Sequence, residues 1–239
     1  MKRFVLSIAL ATAAFSALAA PTTFFGEDRN RFAFGTPGPN SVGARNAFLS
    51  NLVSGIGTET FDSYASNTNA NGTVLSFPGT TGNLTATLNG SNIAFETTGP
   101  GRFPISAPNF LTATTGNFSI TFATPISAFG FYGIDIGDFV TNQMQLALYD
   151  GATLVDTLTV AHSLNVANHE GATLFFGFFD TARSYTQISF TNAGGGDVFA
   201  FDNMVVGDLG QINPAPAPGT LALLGAGLLA FGLRRRKIS

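Results

Sequence analysis

The chain has 239 residues, 45% of them hydrophobic and only 10% charged, against roughly 25% charged in an average soluble domain. That composition excludes a disordered polymer, because ample apolar surface is present to build a core. The absence of cysteine excludes a disulfide framework, a Cys₄ zinc site and a thiol nucleophile. Charge is unevenly placed. Of 11 basic residues, Lys2, Arg3, Arg234, Arg235, Arg236 and Lys237 lie at the ends, leaving five arginines against all 14 acids and a body of formal charge −9 without a lysine. Nucleic acid, which needs a basic footprint, is therefore excluded as a partner. An acidic body suits cations such as Ca²⁺, or neutral partners.

The N-terminus, MKRFVLSIALATAAFSALAAP, has the three parts of a secretory signal peptide. Lys2 and Arg3 supply the charged region and Phe4–Ala14 the apolar core. Ala17-Leu18-Ala19 supplies the small-x-small cleavage pattern, so signal peptidase is expected to cut between Ala19 and Ala20, away from Pro21. Residues 1–19 are then a signal peptide and residues 20–210 one exported domain.

Within that domain only residues 40–55, NSVGARNAFLSNLVSG, have helical spacing, through Val42, Phe48, Leu49, Leu52 and Val53. Asn40 or Ser41 is the expected N-cap and Gly55 the residue past the C-terminus. Strand signals dominate the remainder. NLTATLNG and SNIAFETT flank Asn89-Gly90, a dipeptide suited to a type I′ hairpin. NFSITFATPISAFGFYGIDIG predicts two strands separated at Pro125. MQLALYDGATLVDTLTV predicts a hairpin at Asp150-Gly151 with Met144, Leu146 and Leu148 turned to the core. LFFGFF, YTQISFTN and VFAFDNMVVG complete the set, with Gly194-Gly195-Gly196 as a turn before the last strand. Short strands at this spacing predict an all-β fold, a jelly-roll-like β-sandwich. Phe dominates the aromatics, with 25 Phe, four Tyr and no Trp. Phe129, Phe131, Phe175, Phe176, Phe178 and Phe179 are accordingly read as filling between two sheets, not as a stacking platform for sugars.

Chemistry-bearing residues are sparse. Glu59 and Asp62, in TETFDSY, precede the main run of strands, and Asp202 and Asn203 lie on the last. If first and last strands pair, these oxygen ligands become candidates for a structural Ca²⁺. Asp135 and Asp138, in GIDIGDF, form a second acidic cluster at a strand exit. His162 and His169, with Glu170, have no zincin spacing and are read as solvated loop residues. No Gly-x-Ser-x-Gly elbow or phosphate loop is present. A glycan hydrolase or lyase would need a carboxylate pair drawn from Glu96, Asp135 and Glu170.

Asn213–Pro218, NPAPAP, is an extended linker. Leu221–Leu233 is uninterrupted apolar sequence, shorter than the ~20 residues of a typical span, and Arg234-Arg235-Arg236-Lys237 end it as a stop-transfer cluster. The linker and motif occupy residues 211–220, the membrane helix 221–233 and the cytoplasmic basic tail 234–239. Proline motif, short helix and Arg-rich end, in that order, resemble the PEP-CTERM sorting signal of Gram-negative bacteria. The motif reads Pro216-Ala217-Pro218-Gly219-Thr220, with Ala217 where that family usually has Glu. The body, through GRFPISAPNFL, ISAFGFYGIDIGDF, LFFGFF and GDVFAFDNMVVG over residues 56–208, resembles that of many PEP-CTERM proteins, with a lectin-like pattern. The resemblance implies an exosortase as partner, a transient inner-membrane anchor, and final residence at the cell surface or outside the cell. It also implies a non-enzymatic surface or matrix protein that binds extracellular polysaccharide. A secreted glycan-active enzyme and a self-associating matrix subunit stand as the alternatives.

Overall fold

The computed structural model describes residues 19–33, 35–53, 55–137, 139–164, 171–192 and 197–213. In chain order the elements are β1 (Thr22–Asp28), α1 (Pro39–Leu49), β2 (Thr58–Glu59), β3 (Thr68–Asn69), β4 (Val74–Gly79), β5 (Gly82–Asn89) and β6 (Ile93–Glu96). There follow β7 (Phe110–Thr114), β8 (Phe118–Ile126), β9 (Ala128–Ile134), β10 (Gln145–Asp150) and β11 (Thr153–Thr159). The last three strands are β12 (Thr173–Phe179), β13 (Tyr185–Thr191) and β14 (Val198–Gly207). Two antiparallel sheets pack as the expected all-β sandwich. One has eight strands in the order β1-β12-β9-β14-β7-β6-β3, with β2 also on β14, and the other six, β11-β10-β13-β8-β5-β4.

The two sheets differ in how many of their faces are apolar. In the six-stranded sheet burial alternates, as in Leu84, Ala86 and Leu88 of β5 or Phe118, Ile120 and Phe122 of β8. One face meets the core and the other meets solvent. In the eight-stranded sheet every residue of β9 and all but the last of β12 are buried. Its inner face contributes Phe129, Phe131, Phe176 and Phe178 to the core between the sheets. Phe190 of β13 meets Phe131 edge-on at 5.4 Å and stacks on Phe118 at 4.3 Å. Phe129, Phe131, Phe176 and Phe178 thus fill the space between the sheets as expected, whereas Phe175 and Phe179, expected there too, lie on the other face of the eight-stranded sheet, because residues alternate along β12.

Its outer face carries Phe110, Tyr132, Ile134, Phe175 and Val205 and is covered by α1 and the segment 103–105. Phe48 of α1 is fully buried there, 5.7 Å from Phe175 and 5.8 Å from Phe24. Its ring rests over Gly130 and Gly177, which face each other across β9 and β12. A Cβ at either glycine would stand 3.0 Å from the ring, so both must lack a side chain for the helix to approach.

Three further expectations need correction. The helix starts after Gly38 and ends at Leu49, capped by Ser50, so it neither begins at Asn40 or Ser41 nor reaches Gly55. The carboxylate of Asp28, at the end of β1, accepts the Asn40 and Ser41 N–H groups at 3.1 and 2.7 Å, a cap supplied from a distant strand. Asn89-Gly90 makes no hairpin, because β5 and β6 belong to different sheets and the dipeptide lies where the chain crosses between them. There Asn89 Nδ2 donates to Thr121 Oγ1, and Gly90 N–H to Asn71 Oδ1. Strand β8 runs through Pro125 to Ile126, and Ser127 makes the break before β9. The Asp150-Gly151 hairpin forms as expected, with Met144, Leu146 and Leu148 fully buried.

The packed body extends past residue 210. A 3₁₀ turn at Leu209–Gln211 leads to Ile212, which bridges Leu52. Asn213 Nδ2 donates to the Ser50 and Leu52 carbonyls, and its N–H to Asn51 O. Gln211 Nε2 donates to Pro78 O, and Asp208 accepts from Thr80, so this end also ties the two sheets together. Residues 1–18 and 214–239, which include Ala17, the sorting motif and the apolar and basic segments, lie outside the described residues. Ala19 and Ala20 are exposed, two residues ahead of β1.

Two outcomes follow for stability. Phe48→Ala should cost about 3–5 kcal/mol and Gly177→Ala about 1–3 kcal/mol by overpacking, read from denaturant unfolding of the body. A body ending at Asn213 should unfold like the mature chain, whereas one ending at Gly210 should lose about 2–4 kcal/mol through exposure of Ile212 and lost hydrogen bonds.

Candidate functional site

Of the four residues proposed for calcium, Asp202 and Asn203 lie on β14, and Glu59 and Asp62 lie on and just beyond β2, which pairs with it. β14 pairs with β7 over Val198–Phe201 and, beyond a bulge, with β2, so that Met204 faces Glu59. Asn203, in the bulge, has a positive φ of 48°. Asp202, just before the bulge and in register with Tyr132, faces the outer side by ordinary alternation and is fully buried beneath the segment 103–109. Asp202 Oδ2 accepts the Ile105 and Ser106 N–H groups at 2.7 and 3.0 Å, and Oδ1 accepts that of Asn203 at 2.6 Å. Ser106 Oγ donates to Asn203 Oδ1 at 2.9 Å.

Asp62 holds the other end of the same segment. Its Oδ1 accepts the Asn109 N–H at 3.0 Å, while the buried Asn109 amide donates to the Phe61 and Tyr64 carbonyls. Glu59 Oε1 accepts the N–H of Phe61, a buried residue at φ 60°. Among the described residues no group of three or more His, Asp or Glu side chains is placed to hold a metal ion. In this quartet the carboxylate oxygens named face N–H donors. Chemically the arrangement is a clamp, in which buried acids fix a loop that has no sheet partner.

Burial sets the charge state. It pushes the Asp202 carboxyl up to about 7, against the downward pull of the N–H groups of Ser106, Asn203 and Ile105, and the charge of Asp62 adds to the rise. Glu59 is raised for the same first reason, with Asp62 again contributing.

The other candidates fall apart spatially or lie elsewhere. Asp135 is buried at φ 64° and accepts the Gly171 N–H; Asp138, His169, Glu170 and Gly194–Gly196 lie outside the described residues. Glu96 is paired with Arg102 at 3.9 Å. His162 is not solvated: it is 1% exposed, its Nε2 accepts the Met144 N–H at 2.8 Å, and Nδ1 donates to Ser163 O at 2.9 Å. It therefore pins the start of β10 to the segment after β11.

With the outer face of the eight-stranded sheet occupied by its cover, the open surface is the outer face of the six-stranded sheet. Register places Tyr149, Gln187, Thr121 and Thr87 in one row across β10, β13, β8 and β5. Ala147, Ser189, Ser119 and Asn89 form the next row. Apart from Asp150, at the end of β10 where the hairpin turn begins, no exposed position on these four strands carries Asp, Glu, Lys or Arg. Sequence alternation marked these strands as two-faced. Which face stayed open depended on α1 and segment 103–109, whose docking is a long-range matter.

The molecule is thus a two-sheet antiparallel sandwich with one sheet covered on both faces and the other open. Residues 214–237, immediately after the clamp at Asn213, match the PEP-CTERM protein-sorting motif. The chain thus carries a PEP-CTERM protein-sorting motif, which indicates an exported, membrane-transiting protein of Gram-negative bacteria and implies processing by an exosortase. Comparison with curated proteins gives no match. Among solved structures, the K2 cleaved adhesin domain of Lys-gingipain matches at 13% identity, covering 64% of this chain and 98% of that one, with a TM-score of 0.41. TmCBM61, solved with β-1,4-galactotriose, matches at 10% identity over 52% of this chain and 86% of its own, with a TM-score of 0.26. The Stig cyclase Fisc from Fischerella sp. TAU matches at 10% identity over 82% of this chain and 100% of its own, with a TM-score of 0.31. These are likenesses of fold alone. Among the described residues no helix is long and apolar enough to cross a membrane.

The clamp makes stability depend on pH with a definite sign. Because the folded pKa of Asp202 lies near 7 and its ordinary value is 3.8, the native state binds more protons between those values. Stability from this group is then full at acid pH and lost as pH rises towards 7. Thermal melts at pH 4.5 and 7.5 should show this decline, and Asp202→Asn should flatten it. A wild-type profile that climbs across the interval, with the variant following it, contradicts the assignment.

Proposed function

We propose that the chain is a non-enzymatic protein of the cell surface or biofilm matrix, whose sandwich binds extracellular polysaccharide once the tail has delivered it. Signal peptidase releases the N-terminus. The C-terminal segment holds the protein transiently in the inner membrane until an exosortase removes it. The observation that carries this reading is the match of residues 214–237 to the sorting motif, beginning one residue after the fold closes at Asn213. Removal of everything beyond the linker leaves every contact described above intact. An acidic, lysine-free body also suits residence outside the cell among uncharged polymers.

Mass spectrometry of the mature surface form tests the sorting step. The expected product begins near Ala20 and ends near Pro216–Thr220. Recovery of the surface form with Arg234–Lys237 intact would defeat the proposal.

A further inference from the structure

We infer that the open face of the six-stranded sheet is the polysaccharide-binding surface and that its ligand is an uncharged polysaccharide. The inference rests on the proposed function and adds to it a place and a substrate class.

A broad exposed sheet face is kept soluble by interspersed Lys, Glu, Arg and Asp. On β5, β8, β10 and β13 the exposed positions carry a single charged residue, Asp150 at the terminal position of β10 beside the hairpin turn, although the body holds 14 acids. The acids lie elsewhere, in the clamp, at the helix cap and at strand ends. Hydroxyl, amide and phenol groups take their place. In the row Tyr149–Gln187–Thr121–Thr87 they follow one another at the strand spacing of about 4.8 Å, about 14 Å from end to end.

Such groups both donate and accept, which matches the hydroxyls of a sugar chain and offers no fixed charge to a polyanion. Asn89 Nδ2 donates to Thr121 Oγ1 at 3.2 Å, so that oxygen is engaged as an acceptor and the hydroxyl still has its own hydrogen to donate. Tyr149, half-buried at the end of the row, provides an apolar ring with a polar tip. The remainder of the body carries a formal charge of −9, which repels acidic polysaccharides over the screening length. Charge complementarity therefore selects a neutral polymer lying across the strands.

The test uses the exported mature protein in pull-down and affinity electrophoresis with cellulose, β-1,4-galactan and dextran as neutral probes, and alginate and polygalacturonate as acidic ones. Thr121→Glu with Ser189→Glu places charge in the centre of the face, at outward positions that the core does not use, and Gln187→Ala removes one amide. Binding to a neutral probe is expected, changing less than about twofold between about 0.05 and 0.5 M NaCl. It should weaken by about tenfold or more in the double variant, where bound polymer would bury unpaired charge, while melting stays at the wild-type temperature. Neutral binding that survives both variants overturns the face and leaves the polysaccharide reading standing. Preference for alginate or polygalacturonate overturns the substrate class. Absence of binding to every probe removes the polysaccharide reading itself. Sedimentation showing oligomers that the double variant disperses would assign the face to self-association and overturn the inference.

Discussion

A phenylalanine ring resting on two glycines decides which surface of this molecule is available. The outer face of the eight-stranded sheet is as apolar as the inner, with Tyr132, Phe175 and Val205 on it, and it is stable only if covered. Phe48 supplies the contact, and Gly130 and Gly177 let the helix come close enough to make it. The capping of α1 by Asp28 and the acid clamp on segment 103–109 hold the rest of the cover down. Once that side is closed, the six-stranded sheet is left to meet the surroundings.

The cover also explains where charge sits. Asp28, Asp62, Asp202 and Glu59 look from sequence like surface or metal-binding acids, yet each accepts backbone N–H groups that no strand or helix partner satisfies. A carboxylate with several acceptor sites can serve two or three such donors at once, which suits irregular backbone lying on a sheet. The cost is desolvation, visible in the upward displacement of Asp202 and Glu59.

Local signals were legible and long-range ones were not. Alternation in β5, β8 and β10 announced strands, and Asp150-Gly151 announced a hairpin, because period and turn chemistry act over a few residues. Asn89-Gly90 carries the same turn chemistry, but burial of Leu88 and Ile93 against opposite sheets overrode it. The helix end near Gly55 was misjudged because Leu52 has a β-bridge partner in Ile212, 160 residues away in sequence. His162 was misread for a similar reason: nothing in VAHSLN reveals that Met144 N–H needs its imidazole. The pairing of the Glu59 strand with the last strand was anticipated, although it is β2 and not the first strand, β1 being paired with β12; the role of those acids as loop anchors was not anticipated.

The hook at Asn213 has a mechanical consequence. Were the tail held as proposed, tension along the chain would enter the fold at Asn213, whose N–H and side-chain amide grip the carbonyls of Ser50, Asn51 and Leu52. From there the load divides between α1, seated by Phe48 at the middle of the sheet, and β14, the longest strand and one flanked on both sides. Force is thus delivered to the most interlocked part of the body and not to a frayed edge, and resistance to pulling is governed by the barrier to unfolding. Under the sorting proposal, the body would be pulled from the end at which its fold is most interlocked.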